Sequence, residues 1–301
     1  MKLSEEVFNC DHAVFGVLPT GEKGVRFDAS ILEGVVKSLV KEKLGDEDAI
    51  IAETSTDNKP CPTFVVTTSA AMAQGPPILF RSYNNEQNDA DNCPIWKTAR
   101  ATSAAPSFFE PMFIDVPAPG AWHVDGGLRY NNPSQLALQE AQDIWPRVKR
   151  FTILSIGTGR QANVEFVNIK DVQPPRETST SVVGRIVSGF PGSRVIAKAR
   201  NVSGGVKELA NIGKACVQMS TSSEPIHEAM LKLAYSTDPH SQFPYYRFNV
   251  ESGMDSIGLE EWKAIVRIGE LTRQYMREGA PKMEKAKCVQ NLINPPPIEC
   301  T

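Results

Sequence analysis

Apolar positions recur at helical spacing across residues 28–44, where Ile31, Val35 and Leu39 form one stripe and Leu32, Val36 and Val40 a second beside it. Asp28 stands in front as an N-cap type and Gly45 behind as a stop. The pattern predicts a helix that packs through Ile31, Leu32, Val35, Val36 and Leu39. Residues 1–9 put Leu3, Val7 and Phe8 on one helical face, with no capping residue in front. Short β-branched or apolar runs at 62–68, 78–83, 122–124 and 151–156 predict strands. Between them, residues 95–105 read as a helix of small residues that Pro106 ends, and Pro133 opens another. Strands alternating with helices predict a layered α/β fold.

The pattern changes after residue 160. Residues 161–180 are irregular around Pro174 and Pro175, and a helix over 181–200 would be broken at Gly189, Pro191 and Gly192. Residues 206–219 and 224–235 read as helices, and 245–250 alternates like a strand. Over 258–276 a long amphipathic helix is expected, with Trp262, Ile265, Val266 and Ile268 facing inward. A Pro-rich tail follows. The expected organisation is therefore 1–160 as one portion and 161–301 as a mainly helical extension packed on it.

Composition narrows the classes. A chain of 301 residues with 41% apolar and 22% charged residues can bury a large core and is ordinary for a soluble protein. The net charge of −3, with scattered Lys and Arg, gives no argument for nucleic acid or for an anionic surface. The six cysteines form no C-x-x-C pair and no metal spacing, which predicts free thiols, a reducing compartment and no metal or cofactor. No signal-peptide pattern opens the chain, and no apolar run approaches the roughly 18 residues of a membrane span. The expectation is a cytoplasmic protein without a transmembrane segment.

The candidate chemistry lies at Asp125-Gly126-Gly127. An Asp-Gly pair between two β-type segments is commonly a hairpin turn. Here it follows an apolar strand end and precedes a Pro-initiated helix, which would hold the carboxylate at the rim of a sheet. Such a carboxylate can serve as base to a hydroxyl nucleophile, which is weak at its free pKa. His123, two residues earlier on a strand, would share the aspartate's face, either tuning it or filling a structural role. Gly157-Thr158-Gly159-Arg160-Gln161-Ala162 fits G-x-G-x-x-A after a strand. The poor, proline-bearing segment behind it argues against a dinucleotide site.

The W-K-T-A-R-A-T-S-A-A-P-S-F-F-E run at 96–110 and W-H-V-D-G-G-L-R-Y-N-N-P at 122–133, with S-I-G-T-G at 155–159, resemble the patatin-like phospholipase family. The likeness covers most of residues 1–160 and returns in patches to about 277, through Y-Y-R-F-N-V and L-E-E-W-K. It implies a three-layer, lysophospholipase-like α/β core and a serine–aspartate dyad that cleaves acyl esters of lipids without histidine. Asp125 would be the dyad aspartate, with Gly126 and Gly127 completing its motif. A lipid or phospholipid substrate and contact at the periphery of a membrane would follow. Phe108, Phe109, Met112 and Phe113 would be available to line an acyl cleft beside Asp125, or would pack the core. The family's G-x-S-x-G serine and Gly-rich oxyanion loop have no counterpart, since no serine here has Gly at both −2 and +2. Ser203 has only the second and Ser193 has neither. The resemblance therefore implies a domain incomplete at its N-terminus and inactive as given. The alternative is a non-catalytic lipid-binding or scaffold protein.

Overall fold

The fold is given by a computed structural model that describes residues 2–8, 27–52, 61–72, 74–106, 108–148, 151–160, 222–236, 243–258 and 260–294. By contacts the chain divides into one unit of Met1–Gln161 with Thr221–Thr301, and a second, Ala162–Ser220, that lies outside the described residues. The expected helices over 181–200 and 206–219 and the Pro-rich tail also lie outside them.

The chain begins with helices α1 (Lys2–Val7) and α2 (Ala29–Leu44). α2 starts and stops where its sequence predicts. The Asp28 side chain accepts from Ser30 N at 2.8 Å, and Gly45, at φ 85°, donates its N–H to the Lys41 carbonyl. Leu32 and Val35 pack against Val7, Phe27 and Phe109, as expected. Leu39 does not; it stands 44% exposed, and its neighbour Val40 is buried instead.

Four strands form one sheet: β1 (Phe64–Ser69), β2 (Ile78–Arg81), β3 (Met112–Ile114) and β4 (Ala121–Asp125), in the order β2-β1-β4-β3. Every pairing in it is antiparallel. The β1–β2 and β3–β4 connections are too short for a crossover, so the chain must double back. α3 (Ile95–Thr102) lies against this sheet through Ala101, fully buried, with Thr102 Oγ1 donating to the Val66 carbonyl at 2.7 Å. The small side chains permit that approach. Ile51, Phe80, Cys93, Ala101 and Ile114 form the core on this face, where burying a ring such as Phe80 contributes about 2 kcal/mol.

After the single turn α4 (Gly127–Tyr130), helix α5 (Ser134–Ile144) leads to β5 (Ile153–Ile156). The later described residues form α6 (Glu224–Ala234) and β6 (Tyr245–Phe248), which pairs with β5 in parallel. Leu138, Met230, Ala234 and Tyr245 are the core here. The long helix expected over 258–276 starts later than expected and ends where expected. A 3-10 turn at Trp262–Ala264 precedes α7 (Ile265–Arg277), and Glu278, extended at φ −120° and ψ 153°, separates it from α8 (Gly279–Ile293). Ile265 and Val266 are 40% and 61% exposed, so they do not face inward, whereas Trp262 and Ile268 are half-buried. The architecture is a mixed α/β fold with a helical C-terminal part.

Candidate active site

Asp125 is the last residue of β4, opposite Thr67 of β1. Its backbone N–H donates to the Ala104 carbonyl at 3.1 Å, so the segment after α3 holds the strand end. Its Oδ1 accepts from the Gly127 N–H at 2.6 Å. Burial pushes the Asp125 carboxyl above the ordinary aspartate value, and the Gly127 N–H, which favours the ionised form, offsets part of that rise. A carboxylate so raised is a stronger base than one in water.

The two glycines are required for different contacts. A Cβ on Gly126 would fall on the Val66 carbonyl, with the carbonyl carbon at 2.7 Å. A Cβ on Gly127 would stand 3.0 Å from Asp125 Oδ1, in the path of the hydrogen bond that orients the carboxylate. Neither residue is in the left-handed region at this turn; Gly126 has φ −64°. Space, not backbone freedom, makes D-G-G a glycine motif here.

His123 shares the Asp125 face, as the strand period predicts. It is buried, its Nδ1 lies 3.0 Å from Thr67 Oγ1, and its ring packs on Phe80 at 5.3 Å. Burial lowers its pKa, leaving a neutral ring. These contacts assign it to the core.

The aromatic residues expected at an acyl cleft part company. Phe109 is buried with Val7 and Phe27, and Phe108 stacks on Phe27. Met112 packs into the core under the sheet. Phe113 alone opens onto a cavity of about 510 Å³, shared with Trp122, Pro111 and Ala70. The lining of this cavity on β4 is Ala121 and Trp122, so it lies at the opposite end of the strand from Asp125. It is not a cleft at the carboxylate.

Two residues near the site were not singled out in the sequence. Arg100 is 1% exposed; its Nη2 donates to the Glu110 carbonyl at 2.7 Å, Glu33 lies 3.7 Å from Nε, and Phe109 lies beneath. A lone arginine inside a small-residue helix was the available signal. Asn132, 3% exposed, ends the turn that Asp125 begins. Among the described residues no group of three or more His, Cys, Asp or Glu is placed to hold a metal, and Cys61, Cys93 and Cys288 are free.

Residues 3–138 match the family model for patatin-like phospholipase. Over that span, somewhat less than half of the chain, it is similar to the patatin-like phospholipase family. The match takes in α3, the whole four-stranded sheet and the D-G-G turn. Calcium-independent phospholipase A2-gamma of Rattus norvegicus is 32% identical over 167 residues, covering 53% of this chain and 20% of that protein. Patatin-like protein 3 of Arabidopsis thaliana is 35% identical over 111 residues, 31% of this chain and 26% of the relative. Probable inactive patatin-like protein 9 of Arabidopsis thaliana is 27% identical over 190 residues, 58% and 46% respectively. The chain thus spans about a fifth of the length of the phospholipase A2-gamma relatives. Among the described residues, no helix is long and apolar enough to cross a membrane.

Proposed function

We propose that this chain carries the base half of a serine–aspartate lipid acyl hydrolase of phospholipase A or lysophospholipase type, acting in lipid degradation. Asp125 is the base. The observation that carries the reading is the Asp125 carboxylate itself: partly buried, raised in basicity, and oriented by the Gly127 N–H. In the reaction, Asp125 takes the proton of a serine hydroxyl as the oxygen bonds to the acyl carbonyl carbon. The proton then passes to the leaving alcohol as the ester C–O bond breaks. Water repeats the sequence on the acyl-serine and regenerates both groups. The serine and the oxyanion donors are not in this sequence in G-x-S-x-G and Gly-rich form. The 301 residues alone are therefore inactive, since losing a single oxyanion donor already costs about 100-fold or more. We place the catalytic portion in residues 1–160 and treat 161–301 as its mainly helical extension. A cytoplasmic location and contact at a membrane periphery fit a phospholipid substrate.

The missing serine, with the similarity to a relative named as probably inactive, also favours a second reading: a non-catalytic lipid-binding protein. Two measurements separate them. The purified chain should hydrolyse p-nitrophenyl esters no faster than Asp125→Ala. Fusion to a G-x-G-x-x-G and G-x-S-x-G segment should then give an esterase that needs both the new serine and Asp125. Full activity of that fusion with Asp125→Asn would overturn Asp125 as the base.

A further inference from the structure

The turn that follows Asp125 is closed from a distant part of the chain. α4 is a single turn, pinned by the N–H groups of Arg129 and Tyr130 donating to the Gly126 carbonyl. One turn with so few bonds is not stable alone. Its far end is Asn131-Asn132, and the Asn132 side chain is enclosed. Asn132 Oδ1 accepts from Ser134 Oγ at 2.5 Å, from Ser134 N at 3.3 Å and from Ser155 Oγ at 3.3 Å. Its Nδ2 donates to the Ser223 carbonyl at 3.4 Å. Ser155, on β5, accepts in turn from Arg247 Nη1 at 2.7 Å. Arg247 Nη2 donates to Ser223 Oγ at 2.7 Å, so one guanidinium spans β6, β5 and the start of α6. A Cβ on Gly157 would collide with the Asn249 side chain and stand 3.0 Å from Arg247 Nη2, so the glycine leaves room for both.

We propose that Asn132 is a positioning residue for Asp125, held in place by Arg247 through Ser155. The inference rests on Asp125 being the base, and it adds which residues fix that base. With Asn132 bonded on all sides, α4 cannot slide along the sheet, so the Gly127 N–H stays on Asp125 Oδ1. The residues that do the holding, Ser155, Ser223 and Arg247, all lie beyond the span 3–138 that matches the family model. The start of the site is thus fixed by the sheet, and its end by the later pair of strands.

The test reads Asp125 in the intact 301-residue chain, with no ester present. The carboxyl carbons are labelled in aspartate, Asp125 is assigned with Asp125→Asn, and its titration and the exchange of the Gly127 amide are followed by NMR. In Asn132→Ala, Gly127 exchange should speed by about tenfold or more, the loss expected of one well-made hydrogen bond. The Asp125 midpoint should fall toward an ordinary aspartate, because relief of burial, the larger influence, outweighs loss of the Gly127 bond. Ser155→Ala should move both readouts the same way by less, and it decides the matter if Asn132→Ala does not fold. Leu138→Ala loosens the same core without touching the relay and should leave Asp125 where it is. The proposal is overturned if the relay variants leave both readouts unchanged, or if Leu138→Ala moves them as far. Neither result touches the acyl-hydrolase reading, which the fused enzyme tests on its own.

Discussion

One methyl group, added at two glycines, should have opposite effects. Gly34 lies on the exposed face of α2, and a Cβ there meets nothing within 4 Å. Gly34→Ala removes unfolded-state freedom and improves helix propensity, so it should stabilise by about 0.5 to 1 kcal/mol. Gly126 has an equally ordinary φ of −64°, so alanine meets no backbone penalty there either. The obstacle is the Val66 carbonyl, onto which the new Cβ falls, with the carbonyl carbon at 2.7 Å and Val66 Cβ at 3.2 Å. Val66 sits in β1, held by ladder bonds to β2 and by the Thr102 hydroxyl on that same carbonyl. It cannot yield as a flexible side chain would. Relief needs β1 or the D-G-G turn to move, which places the cost at the upper end of overpacking, about 3 kcal/mol. Urea unfolding followed by tryptophan fluorescence should show Gly126→Ala with a midpoint well below that of the parent chain and Gly34→Ala with one slightly above. If both alanines shift the midpoint alike, the close approach of Gly126 to β1 is not a constraint and the spatial account of the motif fails.

Other consequences can be measured in the same way. Asp125 has a raised pKa in the fold, so its contribution is fully present below the unfolded value and is lost as pH rises through the folded one. Asp125→Asn should therefore raise the unfolding midpoint near pH 7 and give no gain near about pH 3; equal gains at both would refute the burial argument. Glu140 accepts from Arg81 Nε and Nη2 and from Tyr83 Oη, each at 2.7 Å, and the Arg81 guanidinium holds its carboxyl below the usual value of 4.5. Its contribution is present above that value and is lost as pH falls through the lower folded one. Glu140→Gln should cost about 2 to 3 kcal/mol at neutral pH and flatten the acid side of the stability profile, and an unchanged acid side would count against the pair.

What the sequence revealed was mostly local. The caps of α2, the strand ending at Asp125 and the small-residue helix α3 each follow from a few neighbouring residues, and each stands within a few positions of its expected place. The errors came where distant contacts decide. β3 is only Met112–Ile114, too short for a period, and it exists because β4 pairs with it. The helix expected from Gly258 begins only at Ile265, after a 3-10 turn, and ends at Arg277, where its pattern stops. α8 goes unread in the sequence; Pro281 stands in its first turn, where proline costs no hydrogen bond. At the site, the D-G-G motif was readable by type. The separation of Phe108 and Phe109 from Phe113 was not, because neighbouring aromatic residues give no sign of which core will take them. Nor was the Asn132 cage, whose members come from four separate places in the chain.

The parallel pair of β5 and β6 bears on the order in which the molecule assembles. Between Ile156 and Tyr245 lie nearly ninety residues, whereas β3 and β4 are joined by a hairpin. Closing the longer loop costs about 2 kcal/mol more in chain entropy than closing the hairpin, before any contact repays it. Contacts of such high sequence separation form late. On a ribosome, the four-stranded sheet with Asp125 at its rim is complete while β6 is still being made. Arg247 is made after the turn that follows Asp125, and it closes on that turn through Ser155 and Ser223. The reactive carboxylate is therefore made well before the strand that finishes its setting.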